Sequence, residues 1–114
     1  MREIAFCFVI LLAGYVDADC SPAKDPSKIA IAGGSITELV YLLNRDSQII
    51  AVDTTSNYPE QTSSLPSIGY VRNLSAEGIL SLKPTLILGE HDMGPPQVMK
   101  QIEKVQVEVK KIEE

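Results

Sequence analysis

Three clusters in this 114-residue chain carry side chains able to do chemistry. Tyr70 and Arg72 stand two apart within LPSIGYVRNLSAEGILSLKP, residues 65–84, so in extended backbone their side chains leave on the same face. A phenol beside a guanidinium offers a pair of ligand contacts, although such neighbours also brace loops and surfaces. Glu90, His91 and Asp92 set three metal-ligating types in a row. Consecutive residues cannot converge on one ion without a special turn, structural zinc needs four ligands, and the chain has a single histidine. A solvated loop is the expectation there, and a secondary contact from His91 is left open. The third cluster, Ala32-Gly33-Gly34-Ser35, is a glycine turn whose backbone amides could hold an anion. It lacks the full G-x-G-x-x-G spacing, and the acidic residue expected about twenty positions on is matched only loosely by Asp53. Nucleotide binding is therefore disfavoured, while a carboxylate-bearing ligand remains compatible with the turn. No Ser–His–Asp or Cys–His set follows from spacing, and nothing compels catalysis.

The elements that position these clusters alternate. Lys28 to Ala32 is a short apolar run suited to a buried strand. Ser35-Ile36-Thr37-Glu38 has the form of a capping box, and Ile36, Leu39, Val40 and Leu43 then recur as one apolar helix face up to about Asn44. Gln48 to Val52 reads as a second strand, followed by a Pro/Ser/Thr-rich loop to Gly69 that is long enough to suspect function. Ser75 caps the next helix, bracketed by Leu74 and Ile79, and that helix ends before Pro84. Thr85 to Leu88 is a third buried strand closed by Gly89. After Gly94-Pro95-Pro96 comes a helix with Val98, Ile102 and Val105 on one side, then a peripheral strand with Val107 and Val109 alternating with charges. Strands alternating with helices predict an α/β fold, a parallel sheet with flanking helices.

Composition narrows the setting. Met1-Arg2-Glu3, the apolar run from Ile4 to Ala13 and Val16-Asp17-Ala18 read as a signal peptide, residues 1–18. The apolar run is too short for the roughly twenty residues of a spanning helix, so no spanning segment is expected in the mature chain. Its removal leaves nine basic and thirteen acidic residues, a net charge of −4, which argues against nucleic acid as a partner. Cys7 leaves with the signal, so Cys20 has no intrachain partner and no disulfide framework is implied. The residues before Cys20 do not resemble a lipobox, and a soluble exported protein is expected. Residues 19–27, with Pro22 and Pro26, read as a flexible leader to one domain over 28–114.

The segments KIAIAGGSITELVYLLN, IIAVDTTSNYPEQTSSLPSIGYVRNLSAEGILSLKPTLIL and GPPQVMKQI resemble the amino-terminal half of hemin-binding periplasmic proteins, across residues 28–105. These are the solute-binding subunits of bacterial ABC-type heme uptake systems. The looser ILSLKPTLIL pattern is shared with siderophore- and cobalamin-binding relatives, and the GY-x-R-x-LSAEG core is what points to heme. The resemblance implies the amino-terminal lobe of a bilobal periplasmic binding protein of the helical-backbone type. It implies a chain truncated before the second lobe, located in the periplasm and delivering heme to an inner-membrane ABC permease. It assigns Tyr70 as the axial ligand of ferric heme iron. Tyrosine ionises near pH ~10, and both a bound ferric ion and a nearby cation favour the phenolate. Arg72 then either supplies that charge or pairs with a heme propionate. Another iron chelate or cobalamin is the related alternative, and a small exported nucleotide-binding enzyme the alternative of a different class.

Overall fold

The structure is a computed structural model that describes residues 21–113. The signal segment 1–18 and Cys20 lie outside those residues. In chain order the elements are β1 (Ile29–Ala32), α1 (Gly34–Leu42), β2 (Ile49–Val52), β3 (Gly69–Tyr70), β4 (Asn73–Leu74), α2 (Ala76–Leu80), β5 (Leu86–Glu90), α3 (Pro96–Lys104) and β6 (Glu108–Ile112). Short 3-10 turns sit at Asp46–Gln48 and Glu60–Ser64. No helix among the described residues is long and apolar enough to cross a membrane.

Apolar runs without polar alternation, IAIA and IIAV, can be buried on both faces only inside a parallel sheet. They form one here, in the order β2-β1-β5-β6 with every pair parallel. On one face Ile29, Ile31, Ile49, Val52 and Leu86 pack against Ile36 and Val40 of α1. On the other, Ala30, Ala32, Ala51 and Ile87 pack against Ile79 of α2 and Met99 and Ile102 of α3. The alanines keep that face low, so the two helices can cover it with larger side chains. Helices on opposite faces follow from right-handed crossovers that leave β1 and β5 in opposite directions. The strand order therefore reverses between β1 and β5, where open α/β sheets form a crevice at the carboxyl edge.

Several boundaries differ from the sequence expectation. The N-cap of α1 is Gly33, at φ 146°, and no side chain caps the helix. The Ser35 hydroxyl instead donates to Glu90 Oε2 at 2.9 Å, which dissolves the expected capping box. The buried face of α1 is Ile36, Thr37 and Val40, whereas Leu39 and Leu43 are exposed together with Leu42. Thr37 takes an inward position because its hydroxyl has a buried partner, the Ser56 hydroxyl at 2.8 Å. On α3, Met99 and Ile102 are buried, while Val105 has left the helix as its C-cap and is exposed. β5 does not close at Gly89 but continues to Glu90, because β6 keeps pairing with it at Gly89↔Lys111 and Glu90↔Ile112.

Other expectations hold. The Ser75 hydroxyl accepts from the Gly78 amide at 3.2 Å as the N-cap of α2, and Leu74 and Ile79 share one core cluster. Asn44, one residue past the C-cap of α1, has φ 61°, the left-handed position at which helices commonly stop. In the leader, the Asp25 and Pro26 carbonyls accept from Thr85 Oγ1 at 2.7 Å and Gln48 Nε2 at 2.6 Å, at the amino ends of β5 and β2.

The division of α1 gives a direct test. Leu42→Ser is expected to change stability by no more than ~0.5 kcal/mol, as for an exposed site, while Ile87→Ala, at a fully buried centre, costs about 2–5 kcal/mol. Urea unfolding of the two variants checks this, and equal losses would mean that the Leu39–Leu43 stripe is covered in solution.

Candidate functional site

The crevice between β1 and β5 is built by polar groups that fold back on the chain. Asp53, the residue after β2, is buried, and its carboxylate collects four donors. Oδ1 accepts from the Gly33 amide at 2.9 Å and the Ser56 hydroxyl at 2.9 Å. Oδ2 accepts from the Thr55 hydroxyl at 2.7 Å and the Thr55 amide at 3.2 Å. The Thr55 hydroxyl oxygen in turn accepts from the Gly34 amide at 2.9 Å. A Cβ on Gly34 would stand 2.5 Å from the Thr55 carbonyl oxygen, so the close approach of the two loops requires glycine there. The amides of Gly33 and Gly34, the first donors of α1, are thus satisfied internally by Asp53 and Thr55. Asp53 and Thr55 thus occupy two of the donors that an anion at this turn would use.

The loop after β2 returns along the sheet. The Val52 amide donates to the Pro66 carbonyl at 3.0 Å and the Ile68 amide to the Val52 carbonyl at 2.9 Å, forming a parallel bridge at Val52↔Ser67. The chain then turns at Gly69, φ 95°, into a hairpin in which Gly69 pairs with Leu74 and Tyr70 with Asn73. Val71 and Arg72 form its tip. Neither has a positive φ, so the turn is not of the primed kind that matches strand twist, in keeping with pairing only two residues long. Val71 is buried and anchors the tip, while Tyr70 is 47% exposed and Arg72 is exposed. Backbone bonds hold the hairpin from both sides. The Thr54 amide donates to the Gly69 carbonyl at 2.9 Å, the Gly94 amide to the Val71 carbonyl at 3.0 Å, and the Leu74 amide to the Gly94 carbonyl at 3.0 Å. Thr54 follows β2 and Gly94 follows β5, so Tyr70 and Arg72 stand at the carboxyl edge of the sheet.

Arg72, two residues after Tyr70, is met by a residue from the loop after β5. Arg72 Nε donates to Asp92 Oδ2 at 2.7 Å. That bond raises the Arg72 pKa above its usual value, and the charges of a Tyr70 phenolate and of Asp92 raise it further. The same bond holds the Asp92 carboxyl below the usual carboxylate range, with partial burial opposing it and the charges of Arg72 and His91 assisting. Glu90 turns away from this group toward Ser35, its side chain lying over Gly33. Glu90-His91-Asp92 is therefore not a solvated loop throughout: Glu90 ends a strand and Asp92 is paired. Among the described residues no group of three His, Cys, Asp or Glu side chains can hold a metal ion. Two surface depressions, about 380 and 220 Å³, lie along α3 and β6 between residues such as Glu103 and Val109, and include none of Tyr70, Arg72 or Asp92.

Two pH- and charge-dependent outcomes follow. Asp53→Asn would turn an amide NH2 toward one pair of donors, leaving buried groups unsatisfied, and is expected to cost at least ~2 kcal/mol in chemical denaturation. For Asp92 the folded pKa lies below the unfolded one, so the pair's contribution is complete above pH ~4 and is lost as pH falls through the lower folded value. The stability gap between wild type and Asp92→Asn should stay flat from neutrality to about pH 4 and narrow below it. A gap that narrows well above pH ~5 would reject this pair as its source.

With this geometry in hand, the chain can be set beside known proteins. It is 44% identical to a periplasmic heme binding protein from Pseudomonas aeruginosa, whose crystal structure superposes with a TM-score of 0.75 over 76% of this chain and 31% of that one. For the apo form of the periplasmic heme-binding protein RhuT from Roseiflexus sp. RS-1 the identity is 42% and the TM-score 0.74, over 76% of this chain and 34% of that one. A vitamin B12-binding protein of Yersinia pestis (strain Pestoides F) is 31% identical over 81 residues, 71% of this chain and 29% of the relative. The chain spans about a third of the length of these relatives. A match to the periplasmic binding protein family runs over residues 29–112, from the first residue of β1 to the last of β6. The chain belongs to the periplasmic binding protein family.

Proposed function

We propose that this chain forms one wall of a periplasmic heme site, with Tyr70 as the axial ligand of ferric heme iron and Arg72 beside it. The observation that carries this reading is the half-exposed phenol of Tyr70, held at the carboxyl edge by backbone bonds from Thr54 and Gly94, two residues from the exposed Arg72. Ferric iron is a hard acid that takes a phenolate as an axial ligand. A neighbouring cation lowers the energy of the phenolate, as the bound metal does. Arg72 keeps its charge at every accessible pH, so this assistance does not switch off. The identities of 44% and 42% to heme-binding proteins, against 31% to a vitamin B12-binding one, favour heme as the ligand.

In this reading heme is cargo, the chain is not an enzyme, and the periplasm is its compartment. Delivery to an inner-membrane ABC permease completes the role. Cobalamin is the second reading, supported by the B12-binding relative. The filled amides of Gly33 and Gly34 speak against a nucleotide enzyme.

Hemin titration of the purified mature chain, followed in the Soret and charge-transfer regions, tests the assignment. A high-spin ferric tyrosinate spectrum is expected, with Tyr70→Phe losing it and weakening binding by about 100-fold, or ~2.8 kcal/mol. An unchanged spectrum in Tyr70→Phe would sink the ligand assignment, and calorimetric binding of cyanocobalamin without hemin binding would move the assignment to cobalamin.

A further inference from the structure

Asp92 stands twenty residues from Arg72, yet their contact is built in by the backbone on both sides of Arg72. Gly94, two residues after Asp92, donates to the Val71 carbonyl and accepts from the Leu74 amide. These bonds clamp the residues before and after the Arg72–Asn73 step, so bringing carboxylate to guanidinium requires little further ordering. Most exposed ion pairs forfeit their Coulomb gain to side-chain entropy; here the carboxylate end is already fixed, its side chain only 25% exposed. The bond uses Nε, one of five N–H groups on the guanidinium, and so sets the orientation of the whole planar group.

A second observation separates Asp92 from an ordinary brace. Its Oδ1 is buried and has no hydrogen-bond partner among the described residues. An acceptor left in that condition is unfavourable, so stability alone does not account for a carboxylate here. What the carboxylate does provide is a fixed guanidinium at the hairpin tip, two residues from Tyr70.

We propose that Asp92 is a positioning residue, which fixes the Arg72 guanidinium at the hairpin tip, two residues from Tyr70, so that its charge acts on the phenolate there. The proposal rests on Tyr70 being the heme ligand. Asp92 touches neither iron nor porphyrin in this scheme, and acts only through Arg72. Its removal therefore matters only while Arg72 is present.

The test is a double-mutant cycle on the full chain with Arg72→Ala, Asp92→Ala and the double variant, with Tyr70→Phe alongside. Hemin affinity and the pH at which the ferric tyrosinate band disappears are read in each, and the Arg72 15Nε–1H resonance is read without hemin. Asp92→Ala is expected to broaden or shift that resonance, weaken hemin binding about tenfold and raise the pH of band loss. The double variant should be no worse than Arg72→Ala, and Asp92→Glu should restore part of the loss. Should Asp92→Ala not fold, Asp92→Asn carries the same cycle. Additive losses in the double variant would overturn the proposal, as would unchanged binding in Asp92→Ala or an Arg72 resonance indifferent to Asp92. If Tyr70→Phe keeps the band, or wild type never shows it, the ligand reading itself is wrong. Loss in Tyr70→Phe with normal behaviour in Asp92→Ala rejects only the positioning role.

Discussion

The buried carboxylate of Asp53 is the constraint on which this fold's working edge depends. It lies where β2 ends, yet its four hydrogen bonds reach the residue after β1 and two residues of its own loop, Thr55 and Ser56. A charge in that position is tolerated only because each oxygen is met by two donors. The result is that three separate chain events become one: the end of the central strand, the start of α1 and the path of the loop after β2. Thr54, held between Asp53 and Thr55, then presents its amide to Gly69, and the hairpin bearing Tyr70 is aligned from there.

This arrangement also explains how a member of a binding-protein family can have a glycine-rich strand-to-helix turn without using it for phosphate. Two of the donors at the start of α1 are taken by Asp53 and Thr55. The crevice between β1 and β5 carries the Glu90 carboxylate, which receives the Ser35 hydroxyl. Both features make the switch point self-sufficient and acidic. Arg72 and Tyr70 are instead exposed on the hairpin to one side.

Much of this was legible in the sequence, for physical reasons that differ from element to element. Strands β1, β2 and β5 announce themselves because burial on both faces leaves no room for polar alternation. The Ser75 cap is a local event between neighbours three residues apart, and local events are readable. The inner face of α1 was not. Thr37 is inward through a hydroxyl partner nineteen residues away, and hydrophobic periodicity cannot register a polar residue buried by a distant bond. Ser35 was misread for the same reason, since its partner Glu90 is fifty-five residues on. The adjacency of Tyr70 and Arg72 was visible from their spacing, but the strands carrying them are two residues long and give no periodic signal. Asp92 was noticed only as a candidate metal ligand. The signal that could have found it is topological: a loop after β5 and a hairpin after β2 share the same sheet edge. For Asp53 the available signal was the Asp-Thr-Thr-Ser run directly after a strand, a pattern in which a side chain commonly binds the amide two residues on.

The double role of Gly94 bears on how a ligand is met. By giving its amide to Val71 and its carbonyl to Leu74, it rivets the hairpin to the segment after β5, while Thr54 rivets the other side. The phenol at position 70 is consequently a fixed post and not a swinging arm. Its side chain can turn about χ1 and χ2, but its Cα travels with the sheet. A planar ligand approaching this edge has to adapt its own tilt and distance to the post, and any clamping motion has to come from whatever lies opposite. Whatever docks at such an edge meets a fixed geometry and must match its angle to it.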